Sequence, residues 1–213
     1  MSNIAGIRTD YMMADLVEAE ASENAVEQFA KWWKQAENSE IDEINAMTLC
    51  TVGADLIPQG RIVLLKGFSE KGFEFYTNYD SNKGKELLAF PKATLVFFWK
   101  ELQRQVRITG TVEKLSIEES TAYYHSRPRG SQLGAWASAQ SSVITNREVL
   151  TQHLSEYQDK FAGSEVPKPG YWGGYKVVPA TIEFWQGRPS RLHDRLLYTL
   201  SESNNWKIER LSP

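Results

Sequence analysis

The densest group of chemically capable side chains in this sequence is Trp185-Gln-Gly-Arg-Pro-Ser-Arg-Leu-His-Asp-Arg195, with three arginines, one histidine and one tryptophan in eleven residues. If the segment is extended, alternation sends Arg191, His193 and Arg195 to one side. Two further arginine pairs stand at Arg104/Arg107 and Arg127/Arg129, and Gly60-Arg-Ile-Val-Leu-Leu-Lys66 carries a cation near each end of an apolar run. A core strand with basic ends would account for that last run by itself. The guanidinium fork suits planar or phosphate groups that must be held in a fixed orientation. The clusters therefore point to a small polyanion. His125, His153 and His193 lie 28 and 40 residues apart and Cys50 has no partner, so no spacing fits a metal site. There is no Gly-x-Ser-x-Gly elbow, no Walker loop and no Gly-x-Gly-x-x-Gly, so a phosphate would have to be held by side chains.

The 213 residues are 41% apolar and 24% charged, the profile of a folded chain. A domain of this size buries roughly 70% of the surface that its unfolded chain exposes. The net charge of −3 divides unevenly: residues 1–43 hold ten acidic and three basic residues, and the remainder is net positive. An acidic balance offers no broad footprint for a long nucleic acid. Apolar runs such as Ala93 to Trp99 are too short to cross a bilayer, and no secretion signal follows Met1. A cytoplasmic protein is expected, with Cys50 in the core.

The elements that must position these groups are legible in part. Residues 1–20 show no clean period and read as an arm, and 21–213 read as one domain. Val26, Phe29 and Trp33 recur at helical spacing behind Ser22, a candidate N-cap, and that helix should end near Asn38. Strands are expected at Met47–Val52, Arg61–Phe68, Phe73–Thr77 and Ala93–Trp99. Another follows through Val106, Ile108, Gly110 and Val112, with three more near Tyr175–Trp185, Arg195–Leu200 and Trp206–Leu211. Ser81 can cap a short helix, and Ser116/Glu119 and Thr145/Glu148 read as capping boxes. Residues 126–142 show no period. Strands adjacent in sequence, with helices between groups of strands, argue for a mainly β, α+β fold: an antiparallel barrel with flanking helices.

Taken together, several long motifs resemble the pyridoxine/pyridoxamine 5′-phosphate oxidase family across nearly the whole chain. They are Arg61-Ile-Val-Leu-Leu-Lys66, Phe75-Tyr-Thr-Asn78, Arg104-Gln-Val106, Tyr124-His-Ser-Arg-Pro-Arg129, Gln140-Ser-Ser142, Trp172-Gly-Gly174, Glu183-Phe-Trp-Gln-Gly187 and Arg191-Leu-His-Asp-Arg195. The resemblance implies an FMN-binding split β-barrel and a homodimer with FMN at the subunit interface. It implies oxidation of pyridoxine 5′-phosphate or pyridoxamine 5′-phosphate to pyridoxal 5′-phosphate, with O2 as acceptor and H2O2 as product.

Residue by residue, the resemblance implies FMN contacts at Arg61, Ile62, Val63, Leu64, Leu65, Lys66, Tyr76, Thr77, Lys83, Gln105, Gln140, Ser141, Trp185 and Arg195. It implies a substrate phosphate clamp at Lys66, Tyr123, Arg127 and Ser131. Arg191, Leu192 and His193 would face the pyridine ring, Arg191 and His193 as catalytic residues, and Arg8 and Tyr11 would belong to a lid. Gln140-Ser141 lies far in sequence from Arg61–Lys66, which suggests a site shared between chains. The family often has Arg where Asn82 stands, which removes one phosphate contact from the implied set. Two rival readings share parts of this pattern. A flavin reductase or flavin- or haem-binding module would need no second phosphate clamp, and a nucleic-acid module is supported only by arginines beside aromatics.

Overall fold

The structure, a computed structural model, describes Gly6 and residues 11–213. Period-two burial builds the sheet. β1 (Ala46–Val52) buries Met47, Leu49 and Thr51 on one face. β5 (Lys92–Trp99) buries Ala93, Leu95, Phe97 and Trp99, and β6 (Arg104–Lys114) buries every second residue from Arg104 to Val112. With β2 (Pro58–Leu64), β3 (Gly67–Ser69), β4 (Gly72–Asn78) and β7 (Trp172–Gln186), these strands form an antiparallel sheet in the order β2-β1-β5-β6-β7-β4-β3. β8 (Asp194–Leu200) pairs with β7, and β9 (Trp206–Arg210) pairs with β8. The expected antiparallel, mainly β architecture is borne out. Cys50 is half-buried on the outer face of β1 rather than in the core, because its neighbours Leu49 and Thr51 take the inner positions.

β7 is where the sheet divides. One edge of it pairs with β6, while on the other edge residues 172–177 pair with β4 and residues 181–186 with β8. The register slips between Thr109 and Gly110, opposite Pro179, which has no amide to donate. A Cβ on Gly110 would lie 1.8 Å from the Val178 carbonyl, so only glycine allows the strands to close there. The expected strand Arg61–Phe68 is two pieces. Leu65 N–H donates to Asn45 O beside β1, whereas Lys66 N–H donates to Glu74 O on β4. The chain crosses between two edges of the curled sheet at that step.

α1 (Ala25–Glu37) fills the curl. The Phe29 ring lies 4.9 Å from Phe68, 5.0 Å from Phe73 and 5.3 Å from Phe97, centroid to centroid. Its N-cap is Asn24, whose Oδ1 accepts from Val26 and Glu27, and not Ser22, whose own amide is taken by Gln28 Oε1. α2 (Asn82–Ala89) is capped by Ser81, and α3 (Ile117–Ser126) opens on the expected Ser116/Glu119 box. α5 (Glu148–Lys160) does not use Thr145: Asn146 Oδ1 accepts from Val149 N–H instead. α4 (Arg129–Ala137) lies in the segment without a period. Long side chains hold it, since Gln132 Nε2 donates to the carbonyls of His125 and Arg127 and Tyr124 O–H donates to Gln132 O. Tyr124, Leu133, Phe161, Val166 and Trp172 form a second, smaller core beneath α3, α4 and α5.

Candidate active site

A cleft of about 850 Å³ opens between β2, β4, α3 and α4. Arg61, Lys66, Lys83 and Arg127 line it, and among the described residues no carboxylate does. Ile62, Val63 and Leu64 form one wall, and Tyr76, Thr77, Tyr123, Ser131 and Gln140 complete the expected residues that it gathers. Leu65 does not reach it, because alternation turns that side chain into the core. Ser141 adjoins it, and its Oγ accepts the Asn82 amide at 3.3 Å. Thr77 Oγ1 donates to Gln140 Oε1 at 3.3 Å, so Gln140 belongs to the same chain's cleft as Arg61 and sequence distance alone does not argue for a second chain.

The cations of the cleft differ in how they are held. Arg61 donates to Glu86 Oε2 at 2.8 Å and also to Thr51, which fixes its guanidinium toward β1 and α2. The Arg127 guanidinium lies 4.6 Å from the Trp172 ring centroid, and its Nη1 is buried with no hydrogen-bond partner. The Lys83 ammonium is buried with one weak contact, Ser81 Oγ at 3.4 Å. Burial pushes both below their usual pKa values, with Arg61 adding to the effect on Lys83. Buried cations short of partners are costly, and an anion entering the cleft removes that cost. Tyr76 stacks on Tyr123 at 3.8 Å, and burial, with Glu74 second, raises its phenol to about 12, so it stays protonated.

A second surface lies on β6, β7 and β8. Gln105 pairs with Trp185, and Trp185 pairs with Arg195, so the three stand in one row across three strands. Arg195 Nε donates to Glu183 Oε1 at 2.8 Å and its Nη1 to Ser212 O at 2.8 Å. The second Glu183 oxygen pairs with Arg107 at 3.1 Å. After Gln186 the chain is not extended. Pro189–Arg191 form a single 3-10 turn, with Ser190 at φ 56° and Arg191 at φ 64°. The expected alternation through Arg195 is therefore wrong. The chain must turn back for β8 to pair with β7, and Pro189 begins that turn.

The turn nevertheless places His193 against the row, its ring 4.6 Å from Trp185 and 5.9 Å from Tyr11. The Arg188 amide donates to His193 Nδ1 at 3.0 Å. An amide can only donate, so Nδ1 is bare and the neutral ring carries its proton on Nε2. Burial, with Arg191 second, lowers the His193 pKa and favours this neutral form. Leu192 is exposed beside it. None of Tyr11, Gln105, Trp185, Arg191, Leu192, His193 and Arg195 lines the cleft. Arg8 lies outside the described residues.

Some backbone strain lies at or beside these two surfaces. Seven described residues other than glycine have positive φ, and Gln103, Ser141, Ser190 and Arg191 are four of them. Such conformations cost of order 1 kcal/mol each and persist where the surroundings impose them. Sequence reasoning missed Glu86 and gave no role to Glu183 or Arg188, although it named both within motifs; these three hold the named cations or rings. The available signal was an acid inside an apolar strand, Glu183 between Ile182 and Phe184. Among the described residues no three His, Cys, Asp or Glu side chains group as a metal site, and no helix is long and apolar enough to cross a membrane.

Comparison with known proteins converges on one family. Residues 33–161 match the model described as pyridoxamine 5′-phosphate oxidase, and residues 172–213 match the pyridoxine 5′-phosphate oxidase C-terminal dimerisation region. The chain is 54% identical over 210 residues to the pyridoxine/pyridoxamine 5′-phosphate oxidase of Trichormus variabilis, covering 99% of this chain and 98% of that one. It is 53% identical to the enzyme of that name from Cupriavidus pinatubonensis over the whole of both chains. Among solved structures, PhzG of Burkholderia lata in complex with tetrahydrophenazine-1-carboxylic acid superposes with a TM-score of 0.87 at 27% identity, covering 95% of this chain and all of that one. An FMN-binding protein of Nostoc punctiforme, related to pyridoxamine 5′-phosphate oxidase, shares the fold at a TM-score of 0.72 and 15% identity, covering 90% of this chain and 99% of that one. The curled antiparallel sheet, the matched models and the full-length relatives lead to one conclusion: this chain belongs to the pyridoxine/pyridoxamine 5′-phosphate oxidase family.

Proposed function

We propose that the chain is an FMN-dependent oxidase that converts pyridoxine 5′-phosphate or pyridoxamine 5′-phosphate to pyridoxal 5′-phosphate. The alcohol and O2 give the aldehyde and H2O2, while the amine also consumes water and releases ammonia. The observation that carries this reading is the cleft with four cations and, among the described residues, no carboxylate, in which Arg127 Nη1 is buried with no described partner. Phosphate esters are the anions such a site fits, and two phosphates explain why four cations are needed. The fit to FMN rests on the same cations and on the side-chain cradle of Thr77 and Gln140.

When bound, FMN supplies a two-electron acceptor that O2 can regenerate. The chain's part is to bind, orient and exclude water. Arg61 and Lys83 hold the cofactor phosphate, and Ile62, Val63, Leu64, Tyr76, Thr77, Gln140 and Ser141 shape its bed. Lys66, Tyr123, Arg127 and Ser131 clamp the substrate phosphate. Arg191, Leu192 and His193 face the pyridine ring, with His193 donating from Nε2. Holding the reacting carbon in position is where most of the rate should arise.

The assembly in this reading is a homodimer in which Gln105, Trp185 and Arg195 of one protomer complete the cleft of its partner. The support is that one chain divides its site residues between two separate surfaces and leaves Ile62 and Phe98 exposed on β2 and β5. Residues 11–20 act as an arm over the site and 21–213 as one barrel domain; the rest of the expected 1–20 arm, Gly6 apart, lies outside the described residues. A lone unpaired cysteine suits a reducing cytoplasm. The test is an absorption spectrum of the purified protein, followed by pyridoxine 5′-phosphate without air. Flavin bands that bleach, and return with H2O2 when air enters, are the expected result. A protein with no flavin bands, or with bands that do not bleach, overturns the reading.

A further inference from the structure

Arg188 has no part in the phosphate clamps, yet it touches both the site and the segment that crosses it. We propose that Arg188 is a positioning residue whose side chain latches Tyr11–Glu18 over the Trp185–His193 surface and so holds Tyr11 against the two rings. The inference rests on the oxidase reading for its kinetic consequence, though not for the latch itself.

The contacts form a chain. The Arg188 guanidinium pairs with Asp15, donates to Ala14 O at 3.3 Å and stands 3.6 Å from Asp194 Oδ2. The same Asp194 oxygen accepts the Leu16 amide at 3.2 Å, while Asp194 Oδ1 meets Arg210 at 2.8 Å. Arg210 in turn grips both oxygens of Glu18 at 2.7 Å and the Leu16 carbonyl at 2.9 Å. At the other end Gln103 Oε1 accepts the amides of Met12 and Met13. Apolar burial contributes little. Leu16 is the one buried side chain from Tyr11 to Glu20, and Met12, Met13 and Val17 are exposed. Polar contacts must therefore decide how firmly the segment stays down.

The surface beneath is shaped to receive Tyr11. Its ring meets Trp185 edge-on at 5.8 Å, and a Cβ on Gly187 would lie 2.7 Å from it. Only glycine lets the ring settle there. Arg188 thus joins two tasks: its amide sets the His193 proton on Nε2, and its side chain draws the segment down over that same ring. The two are separable, because a side-chain substitution leaves the amide in place.

The test uses the full-length, FMN-loaded protein carrying Arg188→Met. Hydrogen exchange at the Met12, Met13 and Leu16 amides should accelerate. KM for pyridoxine 5′-phosphate should rise roughly three- to ten-fold, the scale for losing one or two partly exposed ionic contacts. FMN content and kcat should stay near wild type. Arg188→Lys, which keeps the charge but not the fork, should recover part of the loss. Gly187→Ala, which displaces Tyr11 and spares the latch, should raise KM similarly and serves if Arg188→Met does not fold. Unchanged exchange at these amides, an unchanged KM, or loss of FMN in place of the KM effect would overturn the proposal. A wild-type protein that does not oxidise pyridoxine 5′-phosphate would instead overturn the oxidase reading, while the exchange result would still decide whether the latch exists.

Discussion

The cleft and the Gln105–Trp185–Arg195 row treat their cations in opposite ways. On the row, Arg195 and Arg107 share the buried Glu183, and nearby Arg188 and Arg210 share Asp194. In the cleft, among the described residues, only Arg61 has a carboxylate, Glu86, whereas Arg127 is half-buried with its Nη1 buried and unpartnered, and Lys83 is buried with a 3.4 Å hydroxyl contact. An arginine paired with a carboxylate is structural where that carboxylate is buried, as Glu183 is, since removing the arginine strands the acid's charge. An unpaired one lowers the stability of the empty protein and is retained where an anion arrives. Charge density along the chain does not separate the two kinds. Arg104 fits neither kind: it is buried without a carboxylate among the described residues, lies 4.4 Å from the Trp32 ring centroid and donates to the neutral Gln186 and Gln35, and burial takes it down to about 10.

The largest effect that would break this contrast lies at Glu183. Glu183→Ala should destabilise by about 3 kcal/mol in urea titrations, the low end for a broken buried pair because Arg107 is half exposed. Glu183→Gln, which keeps hydrogen bonds, should lose less. A neutral outcome would mean that the row's arginines are solvated in solution.

Arg191 sharpens the comparison as an exception, since among the described residues it makes no ion pair on a surface where its neighbours do. Arg191→Met should leave stability and flavin content unchanged while anaerobic flavin reduction by pyridoxine 5′-phosphate slows on the order of a hundred-fold. Reduction at the wild-type rate would remove its role toward the ring.

In the cleft the expectation is reversed. Arg127→Met should raise KM roughly ten- to a hundred-fold, the worth of a charge-assisted contact to phosphate. Thermal unfolding of the flavin-free protein should show equal or greater stability, because an unpartnered buried charge is gone. Loss of FMN with KM intact would exchange the two phosphate sites.

The smallest effect is a proton count at Lys83. Burial, with Arg61 second, holds its amine below the usual 10.5. The folded, ligand-free protein therefore releases this proton more readily than the unfolded chain does, and gains stability as pH rises from the folded value toward 10.5. A phosphate beside the amine favours the charged form. FMN binding just below pH 10.5 should then take up protons, seen by calorimetry in two buffers of different ionisation enthalpy. Lys83→Met should abolish the uptake.

What the sequence determined by itself was local. The Ser116/Glu119 box and the Ser81 cap form as read, because a capping side chain reaches only the next three amides. Alternation placed Leu95, Phe97, Val106 and Ile108 inside, because period two is a property of one strand. The long motifs identified the family. Where two local solutions were nearly equal, packing chose: Asn24 over Ser22, and Asn146 over Thr145. α4 formed in a segment with no period because Gln132 and Tyr124 tie it to its neighbours.

The site depended on more distant pairings. The turn at Pro189–Arg191 exists because β8 must come back along β7, so alternation could not extend through it. Which arginines are neutralised rested on Glu86, Glu183, Asp15 and Asp194, acids that lie near their partners only once the sheet has paired. Residue type sets what a side chain can do, and its charge balance is settled by groups that folding brings within about 4 Å.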